Sequence, residues 1–422
     1  MGWNASPSKL IILVLSLLIL IEAGVFLMLK RHSYQYPRLF SWIARVINPP
    51  NVLSHYAQEI LHKCRTADTM RRPACYDKEI PALMDRISLE EAFRVTELIQ
   101  EKDTNYFYCH VLGHNLSGRE TAKDPSQWRE VVTRCPSGRC SNGCLHGAFQ
   151  ERFRAEALPD TPVESLKKEL LGVCRQRPGW NPTGLERGIC YHALGHLAMY
   201  ITAADIRKSI KLCDEITLTD AAEGYLQICY DGAFMQIFQP LEPEDFALVK
   251  GKQPIKEDLR SFCRQFDGMQ RGSCWSEGWP LFLQEIHSPE GLTQFCMTLD
   301  ETSQQDRCFS ALFYVLAAQF QFDRSRIEHF CKELPGERKA QCFANAASRL
   351  IETDARLIGQ SIELCKIAAV AGVAKKCYDE LLLYATYNFH VGSEGFWEIC
   401  TKLPEPWHTM CLDKDTTVPR KK

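Results

Sequence analysis

The chain has 422 residues, with 50 basic and 52 acidic side chains and a formal net charge of −2. This near-neutral balance provides no basic surface of the kind that binds nucleic acid, so we expect no nucleic-acid partner. The apolar fraction of 45% also excludes a disordered chain. The length allows either two or three globular domains or one long array of repeats.

The N-terminal region differs from the rest of the chain. Residues 10–29, "LIILVLSLLILIEAGVFLML", contain one charged residue, Glu22. A segment of this length and hydropathy can cross a bilayer as a helix. It is not followed by a good small-residue cleavage site, which favours an uncleaved anchor over a signal peptide. We therefore predict a single-pass membrane protein with an N-terminal tail (1–9), an anchor (10–29) and a juxtamembrane segment (30–55).

The flanking charges and the cysteines disagree about the orientation of the anchor. Lys30, Arg31 and Arg38 follow the anchor and only Lys9 precedes it, which by the positive-inside rule favours a cytoplasmic body. All 20 cysteines, however, come after the anchor, and most form pairs 11 or 12 positions apart. Such spacing is typical of disulfides that close short loops in an oxidising compartment. We give the cysteines more weight and expect the body in the periplasm or the extracellular space.

Eight disulfides are predicted from spacing alone. They pair Cys64 with Cys75, Cys174 with Cys190, Cys213 with Cys229, Cys263 with Cys274, Cys296 with Cys308, Cys331 with Cys342, Cys365 with Cys377, and Cys400 with Cys411. A loop of this size contributes roughly 3 kcal/mol of stability in the chain-entropy model.

Four further cysteines depart from the regular spacing. A short loop between Cys135 and Cys144 preserves the pattern, which leaves Cys109 to reach Cys140 from the neighbouring repeat. The sequence does not fix this connectivity. An alternative is a zinc site formed by Cys135, Cys140, Cys144 and His146, although the spacing is unlike that of a common zinc finger.

The second cysteines of the pairs mark a repeat. From Cys274 to Cys411 they follow one another by 34 or 35 residues, a period that indicates an array of helix–turn–helix units. Residues 323–334 show apolar residues at helical spacing, and Pro335 and Gly336 then form a turn before the next helix. An antiparallel hairpin of these two helices would bring Cys331 to Cys342.

By this period and the disulfide in each hairpin, residues 60–415 resemble tetratricopeptide-like solenoids, particularly the cysteine-rich secreted kind. The resemblance implies an all-α fold, a right-handed α-solenoid of about ten disulfide-stapled hairpins. The usual tetratricopeptide consensus residues do not match, so only the shape is carried over. We assign residues 56–257 to histidine-bearing repeats with inserted loops (154–165, 176–184 and 240–258), residues 258–415 to regular repeats, and residues 416–422 to a tail.

Five of the 12 histidines fall in three consecutive repeats, and two HxxGH motifs contain four of them. Alignment of the repeats puts His110, His146, His192 and Asp231 at one position, and His114 and His196 at a second. Residues four apart share one face of a helix, and neighbouring helices pack about 8–10 Å apart. Imidazole with a carboxylate suits zinc, copper or iron. The candidate metal ligands are therefore His110, His114, His146, His192, His196 and Asp231.

Other interpretations of these residues remain open. The second and fourth repeats are not adjacent, so the histidines can serve one ion, two ions, or one ion and its surroundings. Gly113 and Gly195 cost about 1 kcal/mol each inside a helix, which indicates either close helix packing or room for a ligand. If the histidines are structural, the array is instead a scaffold that binds a protein partner on its surface. No hydrolase motif or phosphate-binding loop is present, so catalytic residues stay unassigned.

Overall fold

The computed structural model describes residues 50–65, 71–106, 108–136, 138–153, 167, 169–218, 224–240 and 243–416. The predicted anchor at residues 10–29 lies outside these ranges, as do the N-terminal tail and most of the juxtamembrane segment. Within the ranges that the structure describes, no helix has the length and hydropathy needed to span a bilayer.

The described part of the chain is all-helical and contains no β-strand, which confirms the predicted fold class at this level. Its α-helices are α1 Pro50–Cys64, α2 Arg72–Ala82, α3 Leu89–Gln100, α4 His110–Ala122, α5 Trp128–Arg134, α6 Gly143–Phe153, α7 Gly184–Ile201, α8 Ile206–Thr217, α9 Tyr225–Phe238, α10 Pro243–Val249, α11 Leu259–Cys263, α12 Gly268–Glu277, α13 Leu283–Ile286, α14 Pro289–Cys296, α15 Thr302–Gln319, α16 Arg324–Glu333, α17 Gly336–Thr353, α18 Ile358–Val370, α19 Ala374–Tyr387, α20 Glu394–Lys402 and α21 Trp407–Thr416.

The hairpin α16–α17 forms as its sequence predicts. The Asp323 carboxylate caps α16 by accepting a hydrogen bond from the backbone N–H of Arg326 at 2.9 Å, which satisfies one of the free donors at the helix start. Ile327 and Phe330 are buried on the inner face of the helix. Pro335 ends the turn, and Cys331 then bonds to Cys342 in the second turn of α17.

Ten disulfides close the hairpins, and every cysteine takes part in one. Eight are the pairs expected from spacing. The other two join Cys109 to Cys140 and Cys135 to Cys144. These cysteines consequently offer no thiolate to a zinc ion, so the alternative Cys–His zinc site is excluded.

The second helices of the hairpins form a continuous inner row. Contacts run in the order α4, α6, α7, α9, α12, α15, α17 and α19, and α19 then returns to contact α7. Two interactions reinforce this return: Arg139 pairs with Asp354 at 3.0 Å, and the N–H of Ala355 donates to the carbonyl of Gly138 at 3.3 Å. The inner helices therefore surround a central space. The right-handed sense of the array stays a prediction.

Glycines allow the inner helices to cross in backbone contact. On α6, a Cβ atom at Gly143 would lie 2.1 Å from the His110 carbonyl oxygen of α4. A Cβ atom at Gly147 would lie 2.1 Å from the His114 carbonyl oxygen. The α7–α9 pair has the same arrangement: a Cβ on Gly232 would lie 2.0 Å from the His192 carbonyl oxygen. Close helix packing is therefore what these glycines provide.

One inserted segment was wrongly predicted to be entirely loop. Residues 243–249 of the insertion at 240–258 form the short helix α10. Two side chains fix it to the array: Val249 is buried, and the buried Asp245 carboxylate accepts a hydrogen bond from the Tyr200 hydroxyl. Tertiary burial outweighs the turn-forming residues on either side.

The glycine contact can be tested within one helix pair. Gly147→Ala places a methyl group against the His114 carbonyl, and we expect it to lower the free energy of unfolding by at least about 2 kcal/mol. Gly118→Ala is the matched control, because its Cβ would meet the nearest atom at an ordinary 3.7 Å. Helix propensity should make that variant neutral or slightly stabilising. Denaturant unfolding measures both, and equal stabilities would contradict the proposed contact.

Candidate metal centre

Three histidines from two crossing helices form the first part of the site. His110 and His114 lie one turn apart on α4 with their Nε2 atoms 3.1 Å apart. The His146 ring on α6 lies 5.0 Å and 5.1 Å from the centres of these two rings. One ligand atom from each of the three lies within 4.8 Å of the others. Two nitrogens on one zinc ion are about 3.3 Å apart, so modest side-chain rotations would complete a three-histidine site.

A second histidine pair repeats this geometry on α7. The Nε2 atoms of His192 and His196 are also 3.1 Å apart. The His146 ring lies 5.8 Å from each of their ring centres. The structure thus brings all five histidines into one continuous group, with His146 between the two pairs.

Carbonyl oxygens hold the outer nitrogens of these rings. The Nδ1 atom of His110 lies 3.2 Å from the Ser141 carbonyl oxygen, and that of His196 lies 2.6 Å from Oε1 of Gln236. A carbonyl oxygen can only accept, so Nδ1 carries the proton in each ring and the Nε2 lone pair points inward. Metal-binding histidines are oriented in this way.

His146 is buried and the other four imidazoles are partly buried around the cavity, which keeps all five neutral. Loss of solvation lowers the pKa of His110 to about 4, although the hydrogen bond to Ser141 opposes this effect. Burial also lowers the pKa of His114, His146 and His192 well below the ordinary value. Moreover, Nε2 of His146 is buried and has no hydrogen-bond partner within the described part of the chain. Neutral imidazole with a free lone pair is the form that binds a metal ion.

Asp231 also lines the central cavity, but its side chain pairs with a charged group instead of contacting the histidines. Its carboxylate forms an ion pair with Arg307. Aspartates at the same position of other repeats also bond to neighbouring side chains: Asp77 accepts from the Tyr106 hydroxyl at 2.7 Å, and Asp379 from Nε1 of Trp407 at 2.8 Å. In this geometry Asp231 is part of an ion pair, and metal binding by Asp231 stays a prediction.

The histidines line a cavity of about 1270 Å³. Its far wall carries polar side chains that sequence analysis missed, chiefly Tyr314 of α15 and Arg349 and Glu352 of α17. Arg349 donates to the Tyr314 hydroxyl, while its own Nε is buried with no partner among the described residues. The charge of Arg349 also contributes to the low pKa of His110, which places the guanidinium near the histidines. No local motif marks these residues, because only the return of the inner row to its start brings them to the site.

Fold and site together define a class: a disulfide-rich, all-helical protein with a histidine cluster that lines a central cavity and can hold a metal ion. No family model matches the chain, and no curated protein or solved structure matches it either. The chemistry of the site therefore carries the functional argument.

The buried histidines predict how the stability of the metal-free protein depends on pH. Their folded-state pKa values lie below that of an unfolded histidine, about 6.5. As the pH falls below about 6.5, the unfolded chain takes up protons that the folded chain refuses, so stability decreases. Each such histidine contributes up to about 1.4 kcal/mol per pH unit until its folded pKa is reached, which for His110 is about 4.

Denaturant unfolding between pH 7.5 and 4.5 in a chelator checks this dependence. The double variant His192→Gln, His196→Gln should show a clearly shallower loss of stability than the parent protein. His329→Gln serves as the control, because the His329 side chain is 79% exposed. Parallel curves for the parent and the double variant would contradict the prediction.

Proposed function

We propose that this protein is an extracytoplasmic metalloprotein, held at the membrane by its N-terminal segment, that binds a transition-metal ion such as zinc, copper or iron in its central cavity. The observation that carries the proposal is the group His110, His114 and His146, whose ligand atoms lie within 4.8 Å of one another. Three imidazoles that converge in this way match the ligand preferences of these metals. The ten disulfides support an oxidising location outside the cytoplasm.

The position of the site favours a centre that meets a ligand over a purely structural metal. Three histidines leave at least one position of a tetrahedral ion open, as in catalytic zinc sites. That open position would face the cavity rather than a closed core. On the far wall, the guanidinium of Arg349 offers charged donors suited to a carboxylate or another anion. An anion held between the metal and Arg349 is therefore the ligand class that the cavity favours.

The competing function is a protein-binding scaffold with structural histidines. It accounts equally well for the repeats and the disulfides. It leaves Nε2 of His146 buried without a partner, however, which costs about 1–3 kcal/mol. A bound metal ion removes that cost, so the metalloprotein is the better supported of the two functions.

Elemental analysis tests the proposal directly. Protein produced in an oxidising compartment should carry about one or two equivalents of a transition metal, as expected of a site with three or more imidazole ligands. His146→Gln should lower the metal affinity at least tenfold, because it removes the histidine that lies between the two pairs. The exposed-site variant His329→Gln should keep the full metal content.

Folding must be verified alongside the metal content. Circular dichroism and mass spectrometry of the ten disulfides show whether His146→Gln retains the parent structure. A folded, disulfide-complete parent that takes up no metal even when zinc, copper or iron is supplied would support the scaffold instead.

Cobalt substitution tests whether the centre is open to an anion. The visible spectrum of the cobalt-loaded protein should change when acetate or azide is added. Arg349→Met should weaken that response about tenfold, the effect of losing one charge-assisted hydrogen bond. Arg338→Met is the control on the same helix, because Arg338 pairs with Asp306 outside the cavity. A spectrum that does not respond to either anion would indicate a closed, structural metal site.

A further inference from the structure

The helix pairs α4–α6 and α7–α9 are two versions of one arrangement. Each first helix carries an HxxGH motif, and each second helix crosses it at a glycine that faces the backbone carbonyl of the motif's first histidine: Gly143 faces His110, and Gly232 faces His192. Three residues beyond that glycine the two versions differ. The first has His146, whose ring centre lies 5.0 Å from that of His110. The second has Met235, whose Sδ lies 3.3 Å from Nε2 of His192.

We propose that His192, His196 and Met235 form a second metal site, distinct from the three-histidine site, that binds monovalent copper. A thioether is a soft ligand that favours Cu(I) over divalent zinc, and imidazole binds copper as well as zinc. The site lies on the same cavity as the first, with the His146 ring between the two. It depends on none of the three ligands of the first site.

Three electron-rich atoms converge at this point. Nε2 of His192 lies 3.1 Å from Nε2 of His196 and 3.3 Å from Sδ of Met235. His196 donates its Nδ1 proton to Gln236, which is itself only 4% exposed. His192 bonds in turn to the backbone of Ile228. With their protons directed outward, the inner atoms of both rings present lone pairs to each other and to a sulfur atom that cannot donate. A cation between them relieves that repulsion.

The neighbouring carboxylate argues for a soft ion as well. Counted from the disulfide cysteine, Asp231 occupies the position of His146, where an oxygen ligand would favour a harder metal. Arg307 pairs with its Oδ2 atom, and although Oδ1 is buried without a hydrogen-bond partner in the described part of the chain, Asp231 does not form a group of close ligand atoms with His192 and His196 there. The donors left for a metal at the second pair are thus two nitrogens and one sulfur.

X-ray absorption at the copper edge gives the decisive measurement on the unaltered protein. The full chain, with its first site filled by zinc, is loaded without oxygen using the acetonitrile complex of Cu(I), so that no reductant attacks the disulfides. We expect one equivalent of Cu(I) with one sulfur and two nitrogen ligands. Bound copper without a sulfur ligand, or no bound copper, would overturn the proposal whatever the variants do.

Matched variants assign the sulfur ligand. Met235→Leu should lose the sulfur signal and at least tenfold in Cu(I) affinity, measured against a coloured chelator. Met199→Leu should change neither, because Met199 is fully buried on α7 but is not part of this site. Both substitutions nearly preserve volume. A Met235→Leu protein that binds Cu(I) as tightly as its parent would exclude Met235 as a ligand.

Zinc binding separates this proposal from the proposed function. His114→Gln should weaken zinc binding and leave Cu(I) binding intact, whereas His196→Gln should do the reverse. If the protein binds zinc but takes up no Cu(I), the proposed three-histidine centre is supported and the proposed second site is contradicted. Loss of both ions in either single variant would show that the five histidines form one site and not two.

Discussion

The backbone contact between crossing helices is the constraint on which the site depends. His146 directly precedes Gly147, whose Cα faces the His114 carbonyl so closely that a Cβ there would lie 2.1 Å from the oxygen. The distance between the two helices therefore also fixes the distance between His146 and the α4 histidines. A side chain at Gly147 would force the helices apart and separate the rings. The disulfide Cys135–Cys144 anchors the start of α6 and holds this crossing in register.

Much of the fold and part of the site follow from local sequence. Cysteine spacing predicts the disulfide hairpins, because a loop of 11 or 12 residues is short enough for its own geometry to choose the partner. The HxxGH spacing likewise predicts that His110 and His114 share a helix face. The opposite wall of the cavity is not predictable in this way. Arg349 lies on α17 and comes near the histidines because the row of inner helices continues until α19 contacts α7, and no single sequence motif indicates that long-range contact.

The placement of five partly or fully buried imidazoles around one cavity needs a physical reason. Each loses hydration, which is why their pKa values fall, and a buried polar atom without a partner costs about 1–3 kcal/mol. Carbonyl oxygens compensate His110 and His196 at Nδ1. Nothing in the described residues compensates Nε2 of His146. Purely structural histidines would be expected to satisfy both nitrogens, as buried polar groups generally do. The convergence of ligand atoms from His110, His114 and His146 within 4.8 Å of one another, together with this unpartnered nitrogen, is what distinguishes a binding site from a polar core.

One position of the repeat is occupied by different residues, and the surrounding side chains determine the role of each residue. Asp77, His146, Asp231 and Asp379 each stand two residues after a disulfide cysteine near the start of an inner helix. Where the residue is aspartate, a side chain from a later part of the chain presents a donor, from Tyr106, Arg307 or Trp407. Around His146 the adjoining hairpins present imidazoles instead. A donor can satisfy a carboxylate, whereas an imidazole that gives its Nδ1 proton to a carbonyl oxygen, as His110 does to Ser141, has only an Nε2 lone pair to offer its neighbours. The same position of the repeat thus forms an ion pair at Asp231 and belongs to a candidate metal site at His146.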